Sequence, residues 1–313
     1  MRIDIVIPNY NGADLIEKNL PVLIKHIAKY NIGEVIISDD GSEEQNYNRA
    51  EEFINKIKKE PQRKIKLIRN QKNAGFSSNV DKGVEEAKSE LILLINTDVT
   101  VQENFLDAVL QEFEIDENLF GVGLMDESIE NDKTVLRGRG IAHWKKGFLL
   151  HSRGEVDKSD TFWVSGGSSV VRRELFEKLG GFDDLYDPFY WEDIDLSYRA
   201  RKAGYHLRFE NRSIVEHYHS KGAIKRYYTP SQVKKIAYRN QFIFVWKNIT
   251  DLSLILSHLF WLPYHLLVAL VHLDTAFMLG FTLAAFRLPA IIKKRKKQKQ
   301  FYKKTDTFLL KSQ

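Results

Sequence analysis

Residues 91–95 read Leu-Ile-Leu-Leu-Ile and stop abruptly at Asn96-Thr97-Asp98. Five consecutive aliphatics suit a buried strand and are too few for a helix. A carboxylate just beyond such a strand lies where open α/β sheets bind their ligands, and an Asp there can hold a divalent cation against a diphosphate. A single strand end of this kind also fits a loop-capping Asp. The ligand reading gains from repetition, because Val35-Ile36-Ile37-Ser38 runs into Asp39-Asp40-Gly41-Ser42 in the same way.

The first 125 residues alternate short apolar runs with helical patterns. Strands are expected at 3–8, 34–38, 65–69, 91–95 and 120–124, and helices at 13–30, 43–59, 77–87 and 103–113. Such alternation predicts βαβ units and a mostly parallel nucleotide-binding sheet flanked by helices, an α/β fold. Residues 126–163 are polar and glycine-dotted, which predicts irregular loops or a hairpin. Order returns with a strand over 162–171, a helix over 173–179, a helix over 192–203 and short strands at 206–209 and 213–216.

The chain has no Cys, which excludes disulfides and thiolate sites. Its net charge of +5 belongs to one end: from Asp251 onward there are ten Lys/Arg against three Asp/Glu, leaving 37 against 39 in residues 1–250. That balance argues against a nucleic-acid partner for the main domain. The start, Met1-Arg2 followed by an apolar strand, carries no signal-peptide core and implies a cytoplasmic start. Residues 252–273 contain no Asp, Glu, Lys or Arg, and a second uncharged stretch covers 275–286 before Lys293-Lys294-Arg295-Lys296-Lys297-Gln298-Lys299. Three readings compete for this tail. It is long for a soluble core helix, and a single span would put the lysines on the far side from the catalytic domain, against the positive-inside tendency. A hairpin turning near 272–275, or an interfacial helix pair, keeps the lysines near an anionic membrane on its cytoplasmic face. His258, His265 and His272 recur every seven residues along one helix face, as a polar stripe or bundle contact more readily than as a metal site.

Four loops converge on the carboxyl edge of the expected sheet: Pro8-Asn9-Tyr10-Asn11-Gly12, Asp39–Ser42, Asn73–Asn79 with Gly75 at its turn, and Asn96–Asp98. Glycines permit close backbone approach, while Asp and Asn can read a base or ribose. Neither a GxGxxG nor a GxxxxGK[ST] motif is present. A fifth segment, Trp191-Glu192-Asp193-Ile194-Asp195-Leu196, opens a helix whose last turns are basic. Dipole complementarity and an Asp195–Arg199 pair account for that pattern on spacing alone more readily than a general base does.

In this order and spacing, the 5–12, 39–42, 96–98 and 191–196 motifs resemble the family-2 inverting glycosyltransferases of GT-A fold, and in particular the bacterial rhamnosyltransferase-like group that builds surface polysaccharides. The likeness covers about residues 1–220. It implies that Asp40 with Asp39 contacts a pyrimidine base, that Asn9 and Asn79 line the nucleoside pocket, and that Asp98 is the final acid of the metal motif. Asn96 stands where many members carry Asp, so less charge faces the metal. The likeness also implies Asp193 as general base with Glu192 beside it, Gly166-Gly167-Ser168 and Trp191 on the acceptor side, and His217, with His219 as its neighbour, as a metal ligand. The expected donor is a UDP- or dTDP-sugar, the cofactor Mn²⁺ or Mg²⁺, and the acceptor a lipid-linked or polysaccharide hydroxyl. The expected organisation is a nucleotide-sugar half over 1–125, an acceptor and base half over 126–250, and a membrane-associating helical segment over 251–313. Two rivals are a sugar-phosphate nucleotidylyltransferase, which would carry a basic Gly-rich loop after strand one where Asn9–Gly12 stands, and a non-catalytic membrane-docked nucleotide-sugar scaffold, which has no need of both Asp98 and Asp193.

Overall fold

A computed structural model of the chain describes residues 1–58, 64–130, 133–217 and 223–311. The expected alternation is present: β1 (Ile3–Asn9), α1 (Ala13–Ile27), β2 (Ile32–Asp39), α2 (Glu44–Ile57), β3 (Ile65–Arg69), α3 (Phe76–Glu86) and β4 (Leu91–Ile95). A short β5 (Val99–Val101) and α4 (Asp107–Ile115) lead into β6 (Leu119–Glu130) and β7 (Lys133–Arg137). The helix expected from 103 starts at Asp107, after a series of turns.

The order across the main sheet is β3-β2-β1-β4, then β10 (Ser168–Arg172), β6, β11 (His206–His217) and β5, with β7 beside β6. The first four strands are mutually parallel, as are β6 and β11, whereas β10, β5 and β7 run antiparallel to their neighbours. Strand β4 explains its own sequence. It lies between β1 and β10, so both of its faces are covered: Leu91, Leu93 and Ile95 join one core cluster, and Ile92 and Leu94 the other. Full burial of each such side chain contributes roughly 1.5–3 kcal/mol. The run is therefore continuous rather than alternating.

Beyond 125 the pattern departs from expectation in three places. β6 continues through the polar stretch to Glu130, whereas β8 (Gly140–Lys145) with β9 (Phe148–Arg153) forms a two-stranded hairpin, one of the two forms expected for this stretch. Residues 162–167 are not strand: the Val164 N–H donates to Ser197 Oγ at 3.1 Å, so that segment spends its backbone on side chains and loops. The two short strands expected at 206–216 are a single β11 carrying a bulge between Glu210 and Ile214, where Glu210 accepts from the Arg212 backbone and guanidinium.

After α5 (Arg173–Lys178), α6 (Glu192–Lys202) and α7 (Ala223–Tyr227) comes α8 (Pro230–Asn248), a helix that hydrophobic periodicity does not announce. Thr229 and Gln232 form a capping box at its start, but its interior buries Arg239, Asn240 and Lys247 among Phe242–Val245, so charge and aromatics alternate all round. The tail follows as α9 (Leu252–Val271), α10 (Thr275–Phe286), α11 (Leu288–Lys299) and α12 (Asp306–Lys311), with the turn between α9 and α10 falling where a helical hairpin was expected.

The expected boundary at 250/251 coincides with no gap in the packing, because one hydrophobic cluster joins β9, α6, α8, α9, α10 and α11. Among the described residues α9 is the helix long and apolar enough to cross a membrane, and most of its surface is exposed. Its histidine stripe faces the β8–β9 turn: the His258 and His265 rings pair with the carbonyl oxygens of Gly147 and Lys146 at 2.7 and 2.8 Å, and Trp144 Nε1 donates to Ser257 Oγ at 3.1 Å. The basic run of α11 is divided. Lys294 turns inward to Asp183 at 2.6 Å and Arg295 to the Trp246 carbonyl at 2.9 Å, leaving Lys293, Lys296, Lys297 and Lys299 outside.

Candidate active site

A cavity of about 750 Å³ opens at the carboxyl edge of the parallel strands. It is large enough for a nucleotide with an attached sugar. The loops after β1 and β4 bring Asn9, Asn96 and Asp98 to its wall, α3 brings Gly75 and Asn79, and α6 brings Glu192 and Asp193.

Beside the end of β2 stand two adjacent carboxylates with different partners. Asp40 lines the cavity but binds the chain itself: its oxygens accept from the Ala74 and Gly75 N–H groups, both at 2.9 Å, and from Asn70 Nδ2 at 3.0 Å. Asp39 is fully buried and does not reach the lining. It accepts from Asn9 Nδ2 at 2.7 Å and from the Ser42 amide and hydroxyl, tying the first two loops together. Gly75 has φ +104°, and a Cβ there would meet the Asp187 carboxyl at 2.5 Å, so only glycine lets this loop approach. Asp187 in turn caps α3, accepting from the Ser77 N–H at 2.8 Å and Ser78 Oγ at 2.6 Å. Asn79 donates to the Ser38 carbonyl at 2.9 Å, whereas Asn9 Oδ1 is buried with no hydrogen-bond partner.

Elsewhere on the cavity wall Asp98 meets His217. The His217 Nε2 atom is 3.3 Å from Asp98 Oδ1, and its Nδ1 is 2.9 Å from Asp126 Oδ2. Burial alone would depress this imidazole, but hydrogen bonds and charge from Asp126 and Asp98 overcome it and raise its pKa to about 9. The ring therefore holds a proton between two carboxylates, a position whose positive charge a divalent cation could supply instead. The donors are a hard carboxylate oxygen and an imidazole nitrogen, with Asp126 fixing the ring from behind, as outer partners do at metal sites. No three His, Asp or Glu side chains among the described residues converge as a complete metal cage. Asn96 Oδ1 is buried at the same edge without a partner. His219 lies outside the described residues.

The side of the cavity formed by α6 rests on strained backbone. Tyr190 and Trp191 are consecutive left-handed residues, at φ +71° and +77°, and this turn aims Glu192 and Asp193 from the first turn of α6 into the cavity. Helix α8 holds the turn: Asn240 Nδ2 donates to the carbonyls of Tyr186, Phe189 and Tyr190 at 3.0, 2.9 and 2.8 Å. Burial raises Asp193 to about 6, against the opposing pull of the Ile194 and Gly166 N–H groups. Burial and the adjacent Asp193 push Glu192 well above the usual carboxylate range, and its Oε2 has no partner. Gly166 and Gly167 line the cavity, while Ser168 sits in β10 opposite Ile95 and Trp191 packs against His151 and Phe244, both behind the wall.

Four contributors escaped the sequence reading: Asp126 behind His217, Arg137 on the wall, Tyr190, and the segment Lys225-Arg226-Tyr227-Tyr228. That last segment folds across the opening. Arg226 pairs with Asp14 at 3.0 Å, Tyr227 stacks edge-on with Tyr10 at 5.4 Å and Tyr228 with Phe189 at 4.7 Å. Its basic-aromatic composition was the available signal.

The chain is 21% identical over 243 residues to chondroitin synthase of Pasteurella multocida (strain Pm70), a match covering 69% of this chain and 24% of that protein's length. A 43-residue stretch is 49% identical to N-acetylglucosaminyl-diphospho-decaprenol L-rhamnosyltransferase of Mycobacterium tuberculosis (strain CDC 1551 / Oshkosh), covering 14% of each chain. The crystal structure of GalNAc-T7 with UDP, GalNAc and Mn²⁺ superposes with a TM-score of 0.63 at 18% identity, over 78% of this chain and 47% of that one. It shares the α/β GT-A-like fold. The model of glycosyl transferase family 2 matches residues 4–180, more than half of the chain, and the protein belongs to that family.

Proposed function

We propose that the protein is a metal-dependent inverting glycosyltransferase. In this reading it moves a hexosyl or rhamnosyl group from a UDP- or dTDP-sugar to a hydroxyl of a lipid-linked or polysaccharide acceptor, on the cytoplasmic face of the cell membrane, in surface polysaccharide synthesis. The observation that carries the reading is that one cavity is lined both by a carboxylate–imidazole pair, Asp98 with His217, and by Asp193, whose pKa burial raises to about 6. Asp193 accepts the proton of the acceptor hydroxyl, whose oxygen attacks the anomeric carbon from the side opposite the nucleoside diphosphate. The glycosidic bond forms as the sugar–phosphate bond breaks, with inversion. Asp98 and His217 would hold Mn²⁺ or Mg²⁺, whose charge would offset that developing on the departing diphosphate. The rhamnosyl alternative draws on the short Mycobacterium match alone.

The test is thermal stabilisation across a panel of nucleotide sugars with Mn²⁺ or Mg²⁺, followed by transfer or slow hydrolysis of the donor that stabilises most. A protein indifferent to every nucleotide sugar would overturn the reading. The change Asp98→Ala is expected to abolish the gain in donor affinity that metal provides, measured by titrating donor with and without Mn²⁺. An unchanged metal-dependent gain would remove Asp98 from the ligand set.

Membrane association enters through α9 lying in the plane of the surface. The β8–β9 turn presses its Lys146 and Gly147 carbonyls against His258 and His265 in the middle of α9. A spanning α9 would carry that irregular backbone, with Lys145 and Lys146, into the hydrocarbon, where polar backbone is not tolerated against lipid. In the plane, exposed Leu256, Leu259, Phe260 and Leu267 enter the acyl region. High salt is therefore expected to release little protein from membranes, and a tag after Gln313 is expected to stay protected from protease outside intact cells. Cleavage of that tag would establish a crossing.

A further inference from the structure

A second cavity, of about 530 Å³, lies between the β8–β9 hairpin and helices α8, α9 and α10, and shares no lining residue with the first. Its floor is apolar, with Phe148, Ala269 and Phe277 all buried. Its mouth is basic, with exposed Lys145 and Lys146 from the hairpin and exposed His272 from the end of α9. The one carboxylate on its lining, Asp274, is already committed: it bonds Lys234 at 2.9 Å and caps α10 through the Phe277 N–H at 3.2 Å. Lys145 and His272 have no side-chain partner among the described residues. Lys146 sits 5.3 Å from the ring centres of both Trp261 and Tyr264. A lysine held beside Trp and Tyr is the side-chain composition of a membrane–water boundary.

The surface leading to this mouth is apolar. Leu270, Val271 and Leu273, which flank His272, expose 60%, 69% and 78% of their area. A ligand matching both features has an apolar chain and an anionic head, and the cavity falls within the size of small-molecule sites. A wholly polar anion would leave the floor unmatched, and a neutral lipid would leave the lysines so.

We propose that this cavity binds one acidic phospholipid, with its phosphate between Lys145, Lys146 and His272 and the start of its acyl chains on Phe148, Ala269 and Phe277. The proposal rests on the membrane-surface reading above, and it adds a discrete site where that reading needs only diffuse charge. It also gives the hairpin a role: β9 runs from this cavity to His151, whose ring packs at 4.9 Å on Trp191, the residue before Glu192.

The experiment uses the full chain and dihexanoyl phosphatidylglycerol, short enough to stay monomeric, titrated while following tryptophan fluorescence. Dihexanoyl phosphatidylcholine, inorganic phosphate and farnesyl phosphate serve as comparisons. Saturable binding is expected for phosphatidylglycerol, weakened roughly tenfold or more in Lys145→Ala/Lys146→Ala. Val268→Phe, which fills the cavity without changing charge, is expected to weaken it comparably, whereas Lys296→Ala/Lys297→Ala, removing two charges elsewhere, is expected to leave it unchanged. Equal binding of phosphatidylcholine or of inorganic phosphate, a preference for farnesyl phosphate, or equal losses from both lysine pairs would overturn the proposal. If Val268→Phe does not fold, the two lysine pairs still decide. Flotation on phosphatidylglycerol vesicles separates the two claims: vesicle binding without short-chain binding removes the site alone, and short-chain binding without flotation removes the membrane reading alone.

Discussion

Replacing Asp193 with Asn is expected to lower glycosyl transfer by at least ~10²-fold while leaving donor affinity within a few-fold, because a general base commonly contributes that much and Asp193 lines the cavity in the role proposed above. The pH profile supplies a second readout. A base must be ionised to act, and burial lifts Asp193 to about 6, so the rate falls as pH drops through that value. Burial and the charge of Asp193 also raise Glu192 well above the usual carboxylate range, so Glu192→Gln serves as the comparison variant for the profile. The acidic limb belongs to Asp193 if Asp193→Asn flattens it. Near-normal turnover in the variant, with chemistry limiting, would remove Asp193 from the mechanism.

The second large effect concerns stability. Lys202 and Asp306 are both wholly buried and 2.6 Å apart, and the same carboxylate accepts from Tyr198 Oη at 2.5 Å and from the Asp251 N–H at 2.7 Å. Asp306→Ala leaves the Lys202 ammonium with the Asn248 carbonyl and Thr250 hydroxyl alone. Stranding one partner of a buried ion pair costs roughly 3–5 kcal/mol, which urea unfolding would register as a lower midpoint. A loss under about 1 kcal/mol would show that Lys202 finds other solvation or gives up its proton, a direction that burial already favours. Deleting residues 252–313 strands the same lysine, so the shortened chain is expected to be less stable as well as shorter.

Legibility in the sequence followed how locally each feature is determined. Strands β1 to β4 were readable because burial on both faces leaves nothing but aliphatics in the chain, and their loops were readable because Gly, Asn and Asp have few other reasons to cluster there. The base-bearing helix was marked by its acidic first turn. What stayed hidden depends on distant partners. Helix α8 conceals its apolar surface behind Arg239, Asn240 and Lys247, which are polar in sequence yet buried because Asp183, Asp195 and the 186–190 carbonyls await them. Asp39 and Asp40 look interchangeable, but only Asp40 reaches the cavity. Asp126 sits in a strand that reads as polar loop, since its value comes from His217, 91 positions away.

The grip of α8 on the Tyr190–Trp191 turn limits how this enzyme can be rearranged. The family match ends at residue 180, ahead of the strained turn, the carboxyl pair and the Asn240 side chain that fixes them. A chimera that grafts a relative's acceptor half from residue 181 onto this donor half must bring its own counterpart of α8, with an amide placed to satisfy three carbonyls at once. One that keeps the native α8 beneath a foreign turn would inherit a mismatch of backbone and clasp, and would be expected to bind donor while transferring nothing. The turn and its clasp are therefore one unit, exchangeable between such chains only in pieces that reach from the turn through residue 248 and so carry β11 of the main sheet with them.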